Sequence, residues 1–303
     1  MTRRAAGIAL AFCTAVISGV SIYVNGHAVS HFHDATVYTT AKNGVAGVLL
    51  LVLALRTRPA AAAAPAARPS RLRVTLSLLA VAVVGGSVPF VLFFEGLARA
   101  QATQAAFIQK TLVVWVALLA VPLLRERFRW PHALAIALLL VGQAWLAGRA
   151  GKIVFGSGEA MILGATLLWA VEVVFVKRLL ATLASPMLAA ARMAIGTVLL
   201  VGWVAVSGKA GQLAALDAGQ WRWVLLTGVL LTAYVATWYA ALARAQAIDV
   251  TAVLVFGAVI TAVLSGAADG TPINATGVVL VALGSALVAW AALRRPAPEA
   301  AAR

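Results

Sequence analysis

Ten apolar runs succeed one another along the chain, near residues 5–24, 35–55, 74–96, 102–124, 132–148, 156–177, 186–206, 222–243, 248–268 and 272–293. A helix of about 20 apolar residues spans the hydrocarbon of a bilayer, where every backbone N–H and C=O needs an internal partner. A transmembrane barrel would show alternating segments of about 10 residues instead. The runs predict an all-α integral membrane protein with ten transmembrane helices. The charged fraction of 11%, against roughly 25% in soluble domains, and a mean hydropathy of +0.99 leave no room for a soluble fold.

The formal charge of +15 would suit a nucleic-acid partner if it formed one face with stacking aromatics. It is instead scattered over helix ends and short loops, so no nucleic-acid partner is expected and the lipid bilayer is. The single cysteine, Cys13, lies inside an apolar run. It excludes an internal disulfide and a cysteine-based metal site and is expected to pack.

The stretch Leu97-Ala-Arg-Ala-Gln-Ala102 returns as Leu242-Ala-Arg-Ala-Gln-Ala247, about 145 residues later, each time after a long apolar run. Further matches keep the same order. Lys42 answers Arg192 at a spacing near 150, and Leu140-Val-Gly-Gln-Ala-Trp-Leu-Ala147 answers Ala282-Leu-Gly-Ser-Ala-Leu-Val-Ala289. The chain reads as an internal duplication, with a first five-helix repeat over 1–150 and a second over 151–303. A five-helix unit that follows itself enters the membrane from the opposite side, so the repeats should be inverted. With the N-terminus inside, about sixteen Arg and Lys fall on cytoplasmic segments and about five outside, which puts both termini of a multi-pass protein in the cytoplasm.

Met1-Thr-Arg-Arg before an apolar run resembles a signal peptide, but no clear small-x-small cleavage site follows and a matching helix begins the second repeat, so a retained helix is expected. On it Thr14, Ser18, Ser21 and Asn25 share one face, which either lines a polar cavity or bonds to a neighbouring helix. His27, His31, His33 and Asp34 fall in the first loop; several imidazoles near a carboxylate suit zinc or copper, yet a solvated loop is the simpler reading and no metal or cofactor is expected. The Ala/Pro/Arg-rich segment 56–73 reads as a linker, and Gly85, Gly86 and Pro89 mid-helix predict a kink that either serves as a gate hinge or is merely tolerated. Glu95 and Arg99 are spaced for a helix-end ion pair.

The ends Phe94-Glu-Gly-Leu-Ala-Arg-Ala-Gln-Ala102 and Leu124-Arg-Glu-Arg-Phe128, with Trp169-Ala170 on helix six, make the chain resemble the EamA-type transporters of the drug/metabolite transporter superfamily, and among them the aromatic amino acid exporters. The resemblance implies an inverted-repeat transporter exporting amino acids or other small metabolites. The chain departs from the family where a proline common in helices four and nine is absent, at Lys110-Thr-Leu-Val-Val-Trp115 and Val255-Phe-Gly-Ala-Val259.

Inverted repeats place a solute site near the midplane between the halves, exposed alternately to either side. Polar and amphipathic residues at depth are its candidate liners: Lys42, Asn43, Gln109, Lys110, Trp115, Trp169, Glu172, Trp238 and Tyr239. Lys42 or Lys110 would hold a substrate carboxylate, or pair structurally with Glu172. The aromatics would wall an apolar side chain or simply pack. Trp130, Trp145, Trp221, Trp223 and Trp290 read as an interfacial belt. Glu172 is the acid expected to carry protons if transport is proton-coupled; facilitated efflux needs none. No enzyme is expected, since there is no H-E-x-x-H, no G-x-S-x-G and no histidine within a span. A nucleotide-sugar or phosphate antiporter, which would need several cations in the cavity, and a channel or structural protein are the alternatives. Association as monomer or homodimer stays open.

Overall fold

The computed structural model describes residues 2–57, 70–97, 99–100, 102–146 and 155–294. Most of the expected linker over 56–73, together with Arg149, Lys152 and the tail beyond Arg294, lies outside them. The described residues are helical, with no strand among them. The long helices are α1 (Arg3–Val29), α2 (Ala35–Arg56), α3 (Arg71–Leu97), α4 (Ala102–Lys110 and Leu112–Leu124), α5 (Trp130–Leu146), α6 (Ser157–Leu179), α7 (Ser185–Val206), α8 (Ala218–Leu242), α9 (Ala247–Asp269) and α10 (Ala275–Leu293). Among the described residues nine of these are long and apolar enough to cross a membrane, and α5 is a shorter apolar helix of 17 residues.

Close approach of backbones sets the packing. Where lipid removes the hydrophobic drive between helices, small residues that let helices touch supply the association. A Cβ on Gly7 of α1 would meet Ala245 just past α8 at 2.8 Å, and one on Gly158 of α6 would meet Ala100 just past α3 at 2.9 Å. Gly142 of α5 rests on Val281 of α10, and Gly284 of α10 on Leu139 of α5. Gly47 of α2 abuts Ala194 of α7, and Gly19 of α1 abuts Gly257 of α9. In each of the pairs α1/α8, α3/α6, α5/α10 and α2/α7 the start of one helix lies by the end of the other. Arg3 donates to the Ala243 carbonyl at 3.1 Å and Arg4 to that of Ala292 at 3.3 Å. One end of the bundle thus gathers the starts of α1, α5 and α9 and the ends of α4, α6, α8 and α10; it is also the arginine-rich end. Val48, Leu55, Val198, Val206, Leu225 and Leu283 point outward, as lipid-facing residues must.

Several local details correct the sequence expectations. Helix α1 runs past 24 to Val29, which places Asn25 in the bundle and His27 on the helix; the loop proper begins near Ser30, and Asp34 caps α2 by accepting from the N–H groups of Thr36 and Val37 at 2.9 and 3.0 Å. Cys13 is exposed, because its neighbour Thr14 takes the inward face and bonds to Thr237 of α8 at 2.9 Å. The loop 207–221 contains a short helix, Ala210–Ala214, and α8 already starts at Ala218 under an Asp217–Gln220 capping box. Among the described residues no three metal-ligating side chains gather. The expected Glu95–Arg99 pair is present at 2.9 Å.

Helices α4 and α9 are both interrupted, without proline, at places about 145 residues apart. In α4 the break is at Thr111; in α9 it is at Val255 and Phe256. Both breaks tighten into i→i−3 bonds, Thr111 N–H to the Ile108 carbonyl at 3.1 Å and Phe256 N–H to that of Val253 at 3.0 Å. The same two helices end alike, Arg125 (φ 53°) and Gly270 (φ 67°) both taking the left-handed cap conformation.

Candidate functional site

The centre of the site is made by a missing hydrogen bond. Proline has no N–H, so Pro89 cannot bond back to the carbonyl four residues earlier. That carbonyl is Gly85, in a wide π-helical stretch of α3, Ala82–Ser87. It is taken up instead by Trp169 Nε1 of α6 and Arg192 Nε of α7, each at 3.2 Å. A Cβ on Gly85 would meet the Glu172 side chain at 2.5 Å, and one on Gly86 would meet the Arg192 carbonyl at 2.0 Å. The two glycines and the proline singled out as a hinge therefore let α3 touch α6 and α7 and supply them a backbone acceptor.

Around this carbonyl lies a buried polar cluster. Glu172 of α6 is 2% exposed; it accepts the Tyr239 hydroxyl of α8 at 2.5 Å and stands 3.7 Å from Arg192 Nε. Neither Lys42 nor Lys110 pairs with Glu172, because Arg192 occupies that place. Tyr234 stacks on Trp238 with centroids 6.2 Å apart. Trp169 meets the rings of Phe90 and Phe93 of α3, both at 5.6 Å.

The second cation, Lys42, sits in a neutral cage. Its Nζ donates to Asn25 Oδ1 of α1 at 2.7 Å, and the Tyr38 hydroxyl donates to the same oxygen at 2.6 Å. The ammonium also lies 4.9 Å from the Tyr38 ring centre and 5.4 Å from that of Phe94, distances at which ring quadrupoles attract cations. Arg192 lies over Phe90 at 6.0 Å. Lys42 and Arg192 thus flank one aromatic strip of α3 formed by Phe90, Phe93 and Phe94. Arg192 has an acid; Lys42, 7% exposed, has an amide oxygen as its hydrogen-bond acceptor and retains donors for an incoming group.

The remaining sequence candidates stand apart from this cluster. Asn43 is fully buried with neither amide atom bonded. Gln109 and Lys110 are half-buried where α4 breaks. Trp115 gives its indole N–H to Thr111 of its own helix at 3.1 Å and packs in the core. Sequence reasoning left Tyr38, Phe90, Phe94 and Tyr234 out of the site. The repeat spacing of about 145 held a signal for one of them, since it carries Tyr239 onto Phe94.

At the arginine-rich end a second polar group appears that composition hid. Asp249 is fully buried in the first turn of α9 and lies 3.3 Å from His132 of α5, which is 1% exposed. Glu172 is therefore not alone as a buried acid within a long helix, and, against the expectation of no histidine within a span, one is buried in the first turn of α5. Glu126, between α4 and α5, accepts from the N–H groups of Ala247 and Ile248 at 2.7 and 3.1 Å. Burial raises its carboxyl pKa against the pull of those two N–H groups and of Lys177. At the opposite end burial of Asp34 is outweighed by Lys209, 2.6 Å away, and by two backbone N–H groups, which together lower its pKa. A cavity of about 550 Å³ opens sideways between α2, α7 and α8, lined by Thr40, Gly44, Val48, Thr197, Leu213 and Trp221; its walls are apolar and hold none of the site residues.

A many-helix apolar bundle enclosing buried ionic and aromatic groups defines a multi-pass membrane protein with a polar interior. The chain belongs to the EamA-like transporter family, whose profile matches residues 5–148 and again 156–290. Family members are membrane transporters of small substrates. No curated protein sequence matches the chain significantly. A solved structure described as "Crystal structure of protein" superimposes with a TM-score of 0.76 at 15% identity, covering 94% of this chain and 98% of that one. At that identity the likeness is one of fold.

Proposed function

We propose that the chain is an inner-membrane exporter of amino acids with aromatic or other apolar side chains, working by alternating access through ten spans. The halves 1–150 and 151–303 are inverted repeats, and the arginine-rich end, with both termini, faces the cytoplasm. The observation that carries the reading is the unequal treatment of two repeat-related cations on one aromatic strip. Arg192 is matched by Glu172, whereas Lys42 is held by the neutral Asn25, Tyr38 and Phe94. A single substrate carboxylate completes Lys42, and Phe90, Phe93 and Trp169 offer an apolar side chain its wall.

A nucleotide sugar or inorganic phosphate brings two or more negative charges and needs a cluster of free cations; with Arg192 committed to Glu172, the strip presents one. Uptake of labelled Phe, Trp, Met, Thr and a nucleotide sugar into proteoliposomes tests the proposal. Saturable Phe and Trp flux that each abolishes in the other is expected, and saturation by none of the five overturns it. Imposing a pH gradient on the same vesicles distinguishes proton coupling through Glu172 from facilitated efflux. Under coupling, flux follows the gradient and Glu172→Gln loses that dependence.

A further inference from the structure

The second copy of the repeated turn, Leu242 to Ala247, is held by charge from three other elements. Glu126, in the loop between α4 and α5, spreads its two carboxylate oxygens over the Ala247 and Ile248 N–H groups at 2.7 and 3.1 Å. These belong to the first turn of α9, where N–H groups have no partner within the helix and the backbone dipole favours an anion. From α6, Lys177 Nζ donates to the carbonyl of Leu242 at 2.5 Å and to that of Ala245. From α1, Arg3 takes the Ala243 carbonyl. Glu126 is 8% exposed, and all eight residues of Ala247–Leu254 are buried beneath it.

The fold does not require this grip. The matching left-handed caps at Arg125 and Gly270, followed by Glu126 N–H bonding to Ala120 and Thr271 N–H to Ser265 at 3.3 Å each, align Glu126 with Thr271. The matching contacts of Gly7 with Ala245 and of Gly158 with Ala100 align Lys177 with Gly26. The positions that answer the carboxylate and the ammonium are thus a threonine and a glycine, which carry no charge. The lysine and arginine ion pairs at their end, Lys209 with Asp34 and Glu95 and Arg99 with Glu95, join side chains 20–48% exposed.

We propose that Glu126 and Lys177 form the latch of a gate at the arginine-rich end, sealed in this structure, which opens when Glu126 withdraws from the N-terminus of α9 in each transport cycle. Opening frees the N-terminus of α9 from Glu126 of the first repeat and the preceding turn from Lys177 of the second. Water entering the opened end solvates the carboxylate, the ammonium and the backbone groups they leave, so the open state strands no buried charge. Duplicated halves without such a device would make the two ends equal in strength; one ionic grip biases the pair toward closure on its own side.

The inference rests on the alternating-access reading, and its test is independent of flux. Thr251, in the second turn of α9 and 2% exposed, is converted by Thr251→Cys in a Cys13→Ser background, and the full chain in proteoliposomes is reacted with a membrane-impermeant maleimide. Slow labelling is expected, rising at least fivefold on adding Glu126→Gln or Lys177→Gln. A control thiol from Thr166→Cys, fully buried in α6, is expected to stay protected in both. Unchanged Thr251→Cys labelling in both latch variants overturns the proposal, and so does equal exposure of the control, which means general loosening instead of a gate. Because labelling needs no solute, loss of amino acid flux in the uptake assay leaves this result standing.

Discussion

Removing Arg192 while keeping its volume, by Arg192→Met, tests whether the ion pair of the central cluster is what keeps Glu172 tolerable inside the bundle. The carboxylate is 2% exposed and the guanidinium 8%, so without it the anion has the Tyr239 hydroxyl and almost no water. Breaking a buried pair from one side costs about 3–5 kcal/mol, and a charge at mid-membrane about 3 kcal/mol on insertion scales. At roughly 1.6 °C per kcal/mol, from about 2.1 cal/mol/K of unfolding entropy per residue over 303 residues, the unfolding midpoint in detergent should fall by about 5–8 °C. Adding Glu172→Gln neutralises the stranded group and leaves an amide oxygen for Tyr239, so the double variant should recover more than half of that loss. The assay is intrinsic tryptophan fluorescence against temperature for the four proteins of the cycle. A single variant within about 2 °C of the parent, or a double variant less stable than the single, refutes the reasoning.

Three further outcomes follow from other contacts. Lys42→Met keeps the apolar stem but removes the charged hydrogen bond proposed to hold the substrate carboxylate, worth about 1.5–3 kcal/mol; competition assays should show at least tenfold weaker amino acid binding with an unchanged unfolding midpoint. Gly86→Ala puts a methyl 2.0 Å from the Arg192 carbonyl, which backbone cannot yield, so a loss of about 1–3 kcal/mol by over-packing is expected in the same melts. Asp34, its pKa lowered by Lys209 and the α2 N–H groups, has a folded pKa below its unfolded value. Its contribution is therefore fully present above the ordinary aspartate range near pH 4 and is lost as pH falls through the lower folded value. Between neutral pH and about 5, melts of the parent and of Asp34→Asn should run parallel, converging only in acid.

Much of the architecture was written into patterns that act locally. Apolar runs of membrane length locate the long helices, and the spacing of about 145 between the two Leu-Ala-Arg-Ala-Gln-Ala stretches recurs between the caps at Arg125 and Gly270 and between the breaks at Thr111 and Phe256. The departures came where the determinant is a neighbour in space. Nothing along the chain says that Arg192, and not Lys42 or Lys110, reaches Glu172, since they lie on different helices and a pairing depends on how those helices rotate about their axes. Asp249 escaped notice because an acid at the second or third residue of a span looks like an interfacial one; only Glu126 and His132, arriving from the α4–α5 region, turn it into an interior group. The breaks in α4 and α9 likewise arise without proline, from tightened turns at Thr111 and Phe256.

The Gly85 carbonyl is an acceptor of the central cluster that belongs to no side chain. Mutating residue 85 cannot erase it, and any larger residue there collides with Glu172. Sequence drift that reshapes this cluster is consequently channelled to the groups that bond that oxygen, Trp169 and Arg192, and to the imino acid one turn further along, which gives it no N–H of its own helix. A main-chain atom made available by a ring closure is inherited with the helix itself, and so is the most durable part of the cluster.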